Sequence, residues 1–140
     1  MNVTNSKTII FVAGGTGGHI MPAIAVANTL REISPNTKII FIGTGKKLEK
    51  NIYDEYNFPF ETVQSQAIKG KGIFGLLKFL TIIPKSFFNA LLIYKRHKPS
   101  CVIGFGGFPS FIPLLSSWIL RYPTYLQEQN IAVGLANKIS

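Results

Sequence analysis

The chain has 140 residues, 46% of them hydrophobic, which suits one folded domain with a sizeable core and excludes a disordered one. Fifteen lysines and arginines against six acidic residues leave a net charge of +9, so an anionic partner is expected; nucleic acid, anionic lipid and a phosphorylated substrate all stay open on charge alone. The single cysteine, Cys101, excludes an internal disulfide framework and reads as a buried core thiol in a reducing cytosol.

The first predicted element is an apolar strand, Thr8–Ala13. It breaks into Gly14-Gly15-Thr16-Gly17-Gly18-His19 and passes into a helix over Ile20–Ile33. Glycines there let the backbone take positive φ and approach a ligand closely. The free N–H groups and dipole at the start of the helix attract anions. The spacing matches neither G-x-G-x-x-G nor a P-loop ending in Gly-Lys-Ser/Thr, so an anionic or sugar-like ligand is expected by another motif. A tight strand–helix packing turn would use the same residues. The break also interrupts the apolar run, where a secretory signal keeps its core unbroken.

Further strands are expected over Lys38–Gly43, Phe60–Gln64, Cys101–Phe105 and Thr124–Gln127, and helices over Lys46–Tyr56, Phe74–His97 and Phe111–Leu120. The strands are continuously apolar rather than alternating, which suits a parallel sheet covered on both faces. Their alternation with helices predicts a doubly wound α/β fold. Pro84 is expected to kink or split the long helix. Lys78, Pro84 and Lys85 interrupt Ile73–Tyr94, so no uncharged run long enough for a membrane span remains.

Lys71, Lys78 and Lys85 align along one stripe if that helix runs through, with Ile73, Phe74 and Leu77 beside them. This describes either an interfacial segment on anionic lipid or a core helix with solvated lysines. A mixture is expected, one face in the core and the Gly70–Pro84 end peripheral to a membrane. His97, within Lys95-Arg96-His97-Lys98, reads as solvated surface.

Gly104-Phe105-Gly106-Gly107, followed by Ser110, repeats the first pattern: a strand running into a glycine turn before an apolar helix. Two such turns at strand C-termini share the sheet edge where open α/β sheets bind ligands. A last helix is expected from about Ala132. The pattern reads as unfinished at Ser140, so residues 1–140 are expected to be the front half of a larger protein, or one subunit of a split one.

Taken in order, Gly14–His19 with Pro22, Gly104–Gly107 with Ser110, and Glu128-Gln129-Asn130 with Gly134, Leu135 and Asn137 resemble the N-terminal domain of the MurG family of peptidoglycan glycosyltransferases. Lys69-Gly70-Lys71-Gly72 is also similar to that family. The resemblance covers essentially the whole chain and implies a GT-B architecture of two Rossmann-like domains with the active site between them. It implies transfer of N-acetylglucosamine from UDP-N-acetylglucosamine to the muramyl C4 hydroxyl of lipid I, with inversion, to give lipid II. It also implies that this domain holds the acceptor while a C-terminal domain, absent from this chain, holds the UDP-sugar. No metal or other cofactor is implied, and the expected location is peripheral, on the cytoplasmic face of the bacterial inner membrane.

Within that frame His19 is the candidate base, since an imidazole titrates near neutrality and can take a proton from a sugar hydroxyl. Glu128 is the second candidate catalytic group, orienting His19 or binding a sugar hydroxyl. Gly14, Gly15, Thr16, Gly17 and Gly18 are expected at a diphosphate or sugar oxygen; Gly104, Gly106, Gly107 and Ser110 at the acceptor's diphosphate; Asn130 and Asn137 at the substrate. Phe108 and Gln127 stand where the family often has tyrosine and histidine, removing one hydroxyl and one titrating group. Read without the resemblance, His19 is an ordinary structural histidine and Glu128 and Asn130 ordinary turn and capping residues.

Two other functions fit less well. A noncatalytic, membrane-associated acceptor-binding subunit of a split sugar transferase would carry the same turns. A nucleic-acid module is suggested by charge alone; the basic residues cluster with greasy segments and no RNP-like or helix-turn-helix pattern is present, so no nucleic acid is expected.

Overall fold

The computed structural model describes residues 7–64 and 73–128. Within them strands and helices alternate: β1 (Thr8–Val12), α1 (Gly17–Ile33), β2 (Lys38–Gly43), α2 (Lys47–Glu55), β3 (Phe60–Thr62), α3 (Ile73–His97), β4 (Cys101–Gly104), a 3-10 turn (Phe108–Ser110), α4 (Phe111–Ile119) and β5 (Thr124–Leu126). The strands form one parallel sheet in the order β3-β2-β1-β4-β5. The doubly wound fold expected from the apolar pattern is the one that forms.

Strand periodicity explains why the runs are apolar throughout. Phe11, Ala13, Ile39 and Phe41 point into one core with Ile20, Ile24 and Ala27 of α1 and Tyr53 of α2. Their alternating neighbours Ile10, Val12, Ile40 and Ile42 point into a second core with Ala90, Ile93 and Tyr94 of α3 and Leu114 of α4. Both faces of the central strands are covered, so neither set of side chains can be polar. Cys101 opens β4 half-buried, and burial pushes its thiol pKa up against the opposing field of Lys7.

Of the kink or split expected at Pro84, the split does not occur: helix α3 runs through it as one element. Beyond Pro84, Ala90, Ile93 and Tyr94 are buried against the sheet and the Ser86 hydroxyl donates to the Gln64 carbonyl, so tertiary packing outweighs one missing N–H. His97 is not solvated surface: its side chain is 15% exposed and its Nε2 lies 2.8 Å from Glu61 Oε1, where Arg96 Nη1 also bonds at 3.1 Å. The C-terminus of α3 is thereby tied to β3 at one end of the sheet.

The strand order places the site. The chain builds outward from β1 through β2 to β3, then crosses back and builds from β4 to β5 on the other side. At such a reversal the loops leaving the two adjacent strands part to opposite faces and open a crevice. Here those strands are β1 and β4, with Val12 beside Gly104 at their C-terminal ends. Both glycine turns start from that point.

Candidate active site at the β1–β4 junction

The first turn leaves β1 at Ala13. Gly15 takes φ +90°, which a side chain would oppose, and Thr16 returns to extended backbone as the residue before α1. The Thr16 hydroxyl does not cap the helix. It lies 3.0 Å from Nδ1 of His19 instead. The N–H groups of Gly17 and Gly18 therefore stand at an open helix start with no side-chain cap. Pro22, one turn later, has no N–H to give the Gly18 carbonyl.

The second turn leaves β4 and meets the first. Gly106 and Gly107 take φ +80° and +84°. A methyl on Gly107 would stand 3.1 Å from the Gly14 carbonyl oxygen and 3.4 Å from His19 Nδ1. Pro109 closes on Gly15 from the same turn, 3.4 Å from where that residue's Cβ would be. The two turns are thus in contact, with the half-buried His19 imidazole at their junction.

The glycines of these turns answer to different needs. Gly104 is a packing position, since a methyl there would meet Leu114 Cδ1 at 2.5 Å and Leu126 Cδ2 at 3.1 Å. Gly15, Gly106 and Gly107 are required by positive φ. Gly14 is confined by Glu49 Oε1, 3.0 Å from its Cβ position. Among the described residues, a methyl on Gly17 would meet nothing within 4 Å, and one on Gly18 only Thr16 Oγ1 at 3.7 Å. None of those residues keeps Gly17 and Gly18 small.

Ser110 is turned away from the cleft. It is fully buried, and its hydroxyl donates to the Gly106 carbonyl at 2.6 Å. This bond, made by a residue expected at the acceptor's diphosphate, closes the second turn. Gln127 and Glu128 follow β5 on the same rim, and the Gln127 N–H donates to the Gly104 carbonyl at 2.8 Å. Glu128 is half-buried there. Lys71, Asn130 and Asn137 lie outside the described residues, as do the side chains of Phe74, Leu77, Lys78 and Phe108.

Sequence reasoning missed Glu49. The side chain is fully buried and accepts hydrogen bonds from the N–H groups of Gly15, Thr44 and Gly45 and from the Thr44 hydroxyl, at 2.6–2.9 Å. A signal was available: Glu49 is the third residue of α2, the position from which a glutamate reaches back over the helix start.

Away from the junction, α3 and α4 expose a second feature. Ile73, Leu80, Phe88 and Leu92 of α3 and Trp118 and Ile119 of α4 are exposed, and so is Lys85. Trp118 keeps 65% of its surface in solvent. Among the described residues no helix is long and apolar enough to cross a membrane.

The model of the glycosyltransferase family 28 N-terminal domain matches residues 9–140. The UDP-N-acetylglucosamine–N-acetylmuramyl-(pentapeptide) pyrophosphoryl-undecaprenol N-acetylglucosamine transferase of Carboxydothermus hydrogenoformans is 40% identical over 131 residues, which cover 94% of this chain and 35% of that protein. The enzyme of the same description from Haemophilus ducreyi is 39% identical, over 94% of this chain and 37% of its own length. Acinetobacter baumannii MurG superposes with a TM-score of 0.80 at 29% identity, covering 95% of this chain and 38% of that one. The glycosyltransferase SnogD from Streptomyces nogalater shares the fold, with a TM-score of 0.63 at 17% identity, covering 96% of this chain and 37% of that one. The Rossmann-like architecture is that of the GT-B glycosyltransferases. The chain spans about a third of the length of the curated relatives it matches.

Proposed function

Because the chain belongs to the glycosyltransferase family 28 N-terminal domains, we propose that it is the acceptor-holding part of an inverting N-acetylglucosaminyltransferase of peptidoglycan synthesis. The reaction moves N-acetylglucosamine from UDP-N-acetylglucosamine to the muramyl C4 hydroxyl of lipid I and gives lipid II. A second domain, outside these 140 residues, holds the UDP-sugar, and the cleft between the two excludes water. One observation carries the reading: the two glycine turns meet at the switch point of the sheet with His19 between them.

The chemistry follows from that placement. In the tautomer protonated at Nδ1, His19 donates to Thr16 Oγ1, 3.0 Å away, and the Nε2 lone pair faces the reaction. Nε2 takes the proton as the C4 oxygen attacks the anomeric carbon of N-acetylglucosamine. The bond from that carbon to the UDP oxygen breaks, and UDP departs with the electron pair. The open N–H groups of Gly17 and Gly18, at the positive end of α1, receive the acceptor's diphosphate. Gly106 and Gly107 form the opposite wall. Glu128 serves the sugar hydroxyls on the rim beyond β5; Asn130 and Asn137 are assigned to the same acceptor.

The acceptor is held on a lipid, and the exposed apolar surface of α3 and α4 beside Lys85 suits a peripheral position on an anionic membrane. We place it at the cytoplasmic face of the inner membrane, where the nucleotide sugar is available.

The test is His19→Ala in the chain joined to its donor-binding half. Steady-state transfer to lipid I is expected to lose about 10²–10⁴ in kcat. An unchanged kcat would remove His19 from the reaction and the proposal with it.

A further inference from the structure

Glu49 is a buried charge for which the mechanism above has no use. No cation lies within ion-pair distance of it among the described residues. Such a group is costly to enclose unless hydrogen bonds replace its water. Its two oxygens divide that work. Oε1 accepts the Gly15 N–H at 2.8 Å and the Thr44 hydroxyl at 2.7 Å. Oε2 accepts the N–H groups of Thr44 and Gly45 at 2.6 and 2.9 Å.

The surroundings are shaped to the carboxylate. A methyl on Gly43 would lie 2.7 Å from Oε2, and one on Gly14 would lie 3.0 Å from Oε1. One helical turn along α2, the Tyr53 hydroxyl donates to the Ala13 carbonyl at 2.6 Å. Burial and the nearby Glu49 charge both push that phenol's pKa up, so it stays a donor. Helix α2 therefore grips the end of β1 twice, at Ala13 and at Gly15.

We propose that Glu49 is a positioning residue for the transfer site. Its carboxylate holds Gly15 in its positive-φ conformation, and this sets Thr16 and His19 against Gly107. It also decides which amides a ligand can use: the Gly15 N–H is consumed inside, and those of Gly17 and Gly18 stay open. The role rests on the reading of His19 as the base.

Glutamine has nearly the shape of glutamate but one acceptor oxygen. Its NH2 cannot face the Thr44 and Gly45 N–H groups, which would oppose donor to donor. The oxygen must take that side. The NH2 then meets the Thr44 hydroxyl, which can rotate and accept, and the Gly15 N–H, which cannot. Glu49→Gln thus leaves one particular amide without a partner.

The experiment is NMR of the full chain bearing E49Q, reading amide hydrogen exchange and the His19 ring nitrogens. Gly15 is expected to exchange about tenfold faster or more. The His19 Nδ1 signal is expected to shift, while Thr44, Gly45 and central-strand amides such as Phe11 and Phe41 keep their protection. Gly43→Ala gives an independent variant, since it displaces the carboxylate without removing its charge; the same changes at Gly15 and His19 are expected. Wild-type signals at both residues would overturn the proposal. So would a uniform rise across the central strands, which marks a general stability strut. No substrate enters this measurement, so its result is read separately from the transfer assay of His19→Ala.

Discussion

Gly107→Ala tests the contact between the two turns more directly than any other single change. At φ +84° an alanine sits in backbone space that L residues avoid, at a cost of about 1–2 kcal/mol. Its methyl would also lie 3.1 Å from the Gly14 carbonyl oxygen, so the first turn must yield by a few tenths of an ångström. That turn has little freedom, because the next N–H, of Gly15, is held by Glu49. Overpacking of this kind adds about 1 kcal/mol. The sum is about 2–3 kcal/mol, a large fraction of an ordinary domain's stability. For a chain of this size it lowers Tm by about 6–15 °C. Urea unfolding should show a lower midpoint at unchanged slope. Gly17→Ala is the internal control, a glycine of the same site with no described residue within 4 Å of its Cβ position. Equal stability of the two variants would refute the contact between the turns.

Gly17→Ala itself should change stability by less than about 0.5 kcal/mol, yet reduce transfer to the lipid-linked acceptor at least about tenfold by crowding the ligand. Retained transfer would mean that nothing outside the chain needs the space. Tyr53→Phe strips the donor from the buried Ala13 carbonyl and should cost about 1–3 kcal/mol in urea unfolding; a loss under about 0.5 kcal/mol would show that the carbonyl finds another partner. On vesicles with anionic lipid, Lys85→Gln should weaken partitioning about fivefold at low salt and have no effect at high salt. Trp118→Ala should weaken it at both. Unchanged sedimentation of both variants would end the membrane reading of α3 and α4.

The sequence carried most of the fold because the pattern is simple. Five apolar runs separated by helical stretches admit few arrangements, and the central strands Ile9–Val12 and Ile39–Ile42 had to be covered on both faces. The repeated glycine turn was legible for the same reason: each follows a strand directly, and parallel strands end on one edge. What was hidden depends on contacts far apart in the chain or on which of two partners a polar group chooses. Glu49 meets Gly15 across 34 positions, and an isolated acid in a basic chain reads as a solvated one. Ser110 could have faced a ligand or its own turn, and the Gly106 carbonyl four residues back was nearer. Pro84 does not split α3, because local propensity is outweighed by the buried face of the helix beyond it. His97 sat in a basic run, and its partner Glu61 comes from another element 36 residues away.

Sorting the glycines by cause also narrows where an acceptor would lie. Gly14 and Gly104 are small because neighbouring side chains fill the space, and Gly15, Gly106 and Gly107 are glycine because of φ. Those five explain themselves within the fold and carry no information about a ligand. Gly17 and Gly18 are left. They sit where α1 begins, with uncapped N–H groups and the positive end of the helix dipole. His19 follows at once, its Nδ1 and Cε1 atoms beside Gly107 and its Nδ1 engaged by Thr16. On the proposed reading, the diphosphate on muramyl C1 and the hydroxyl on C4 are opposite ends of a single sugar ring. One ring laid along the first turn of α1 would put its charged end on the amides of Gly17 and Gly18 and its nucleophile at Nε2. The same short stretch of backbone would then anchor the acceptor and take its proton.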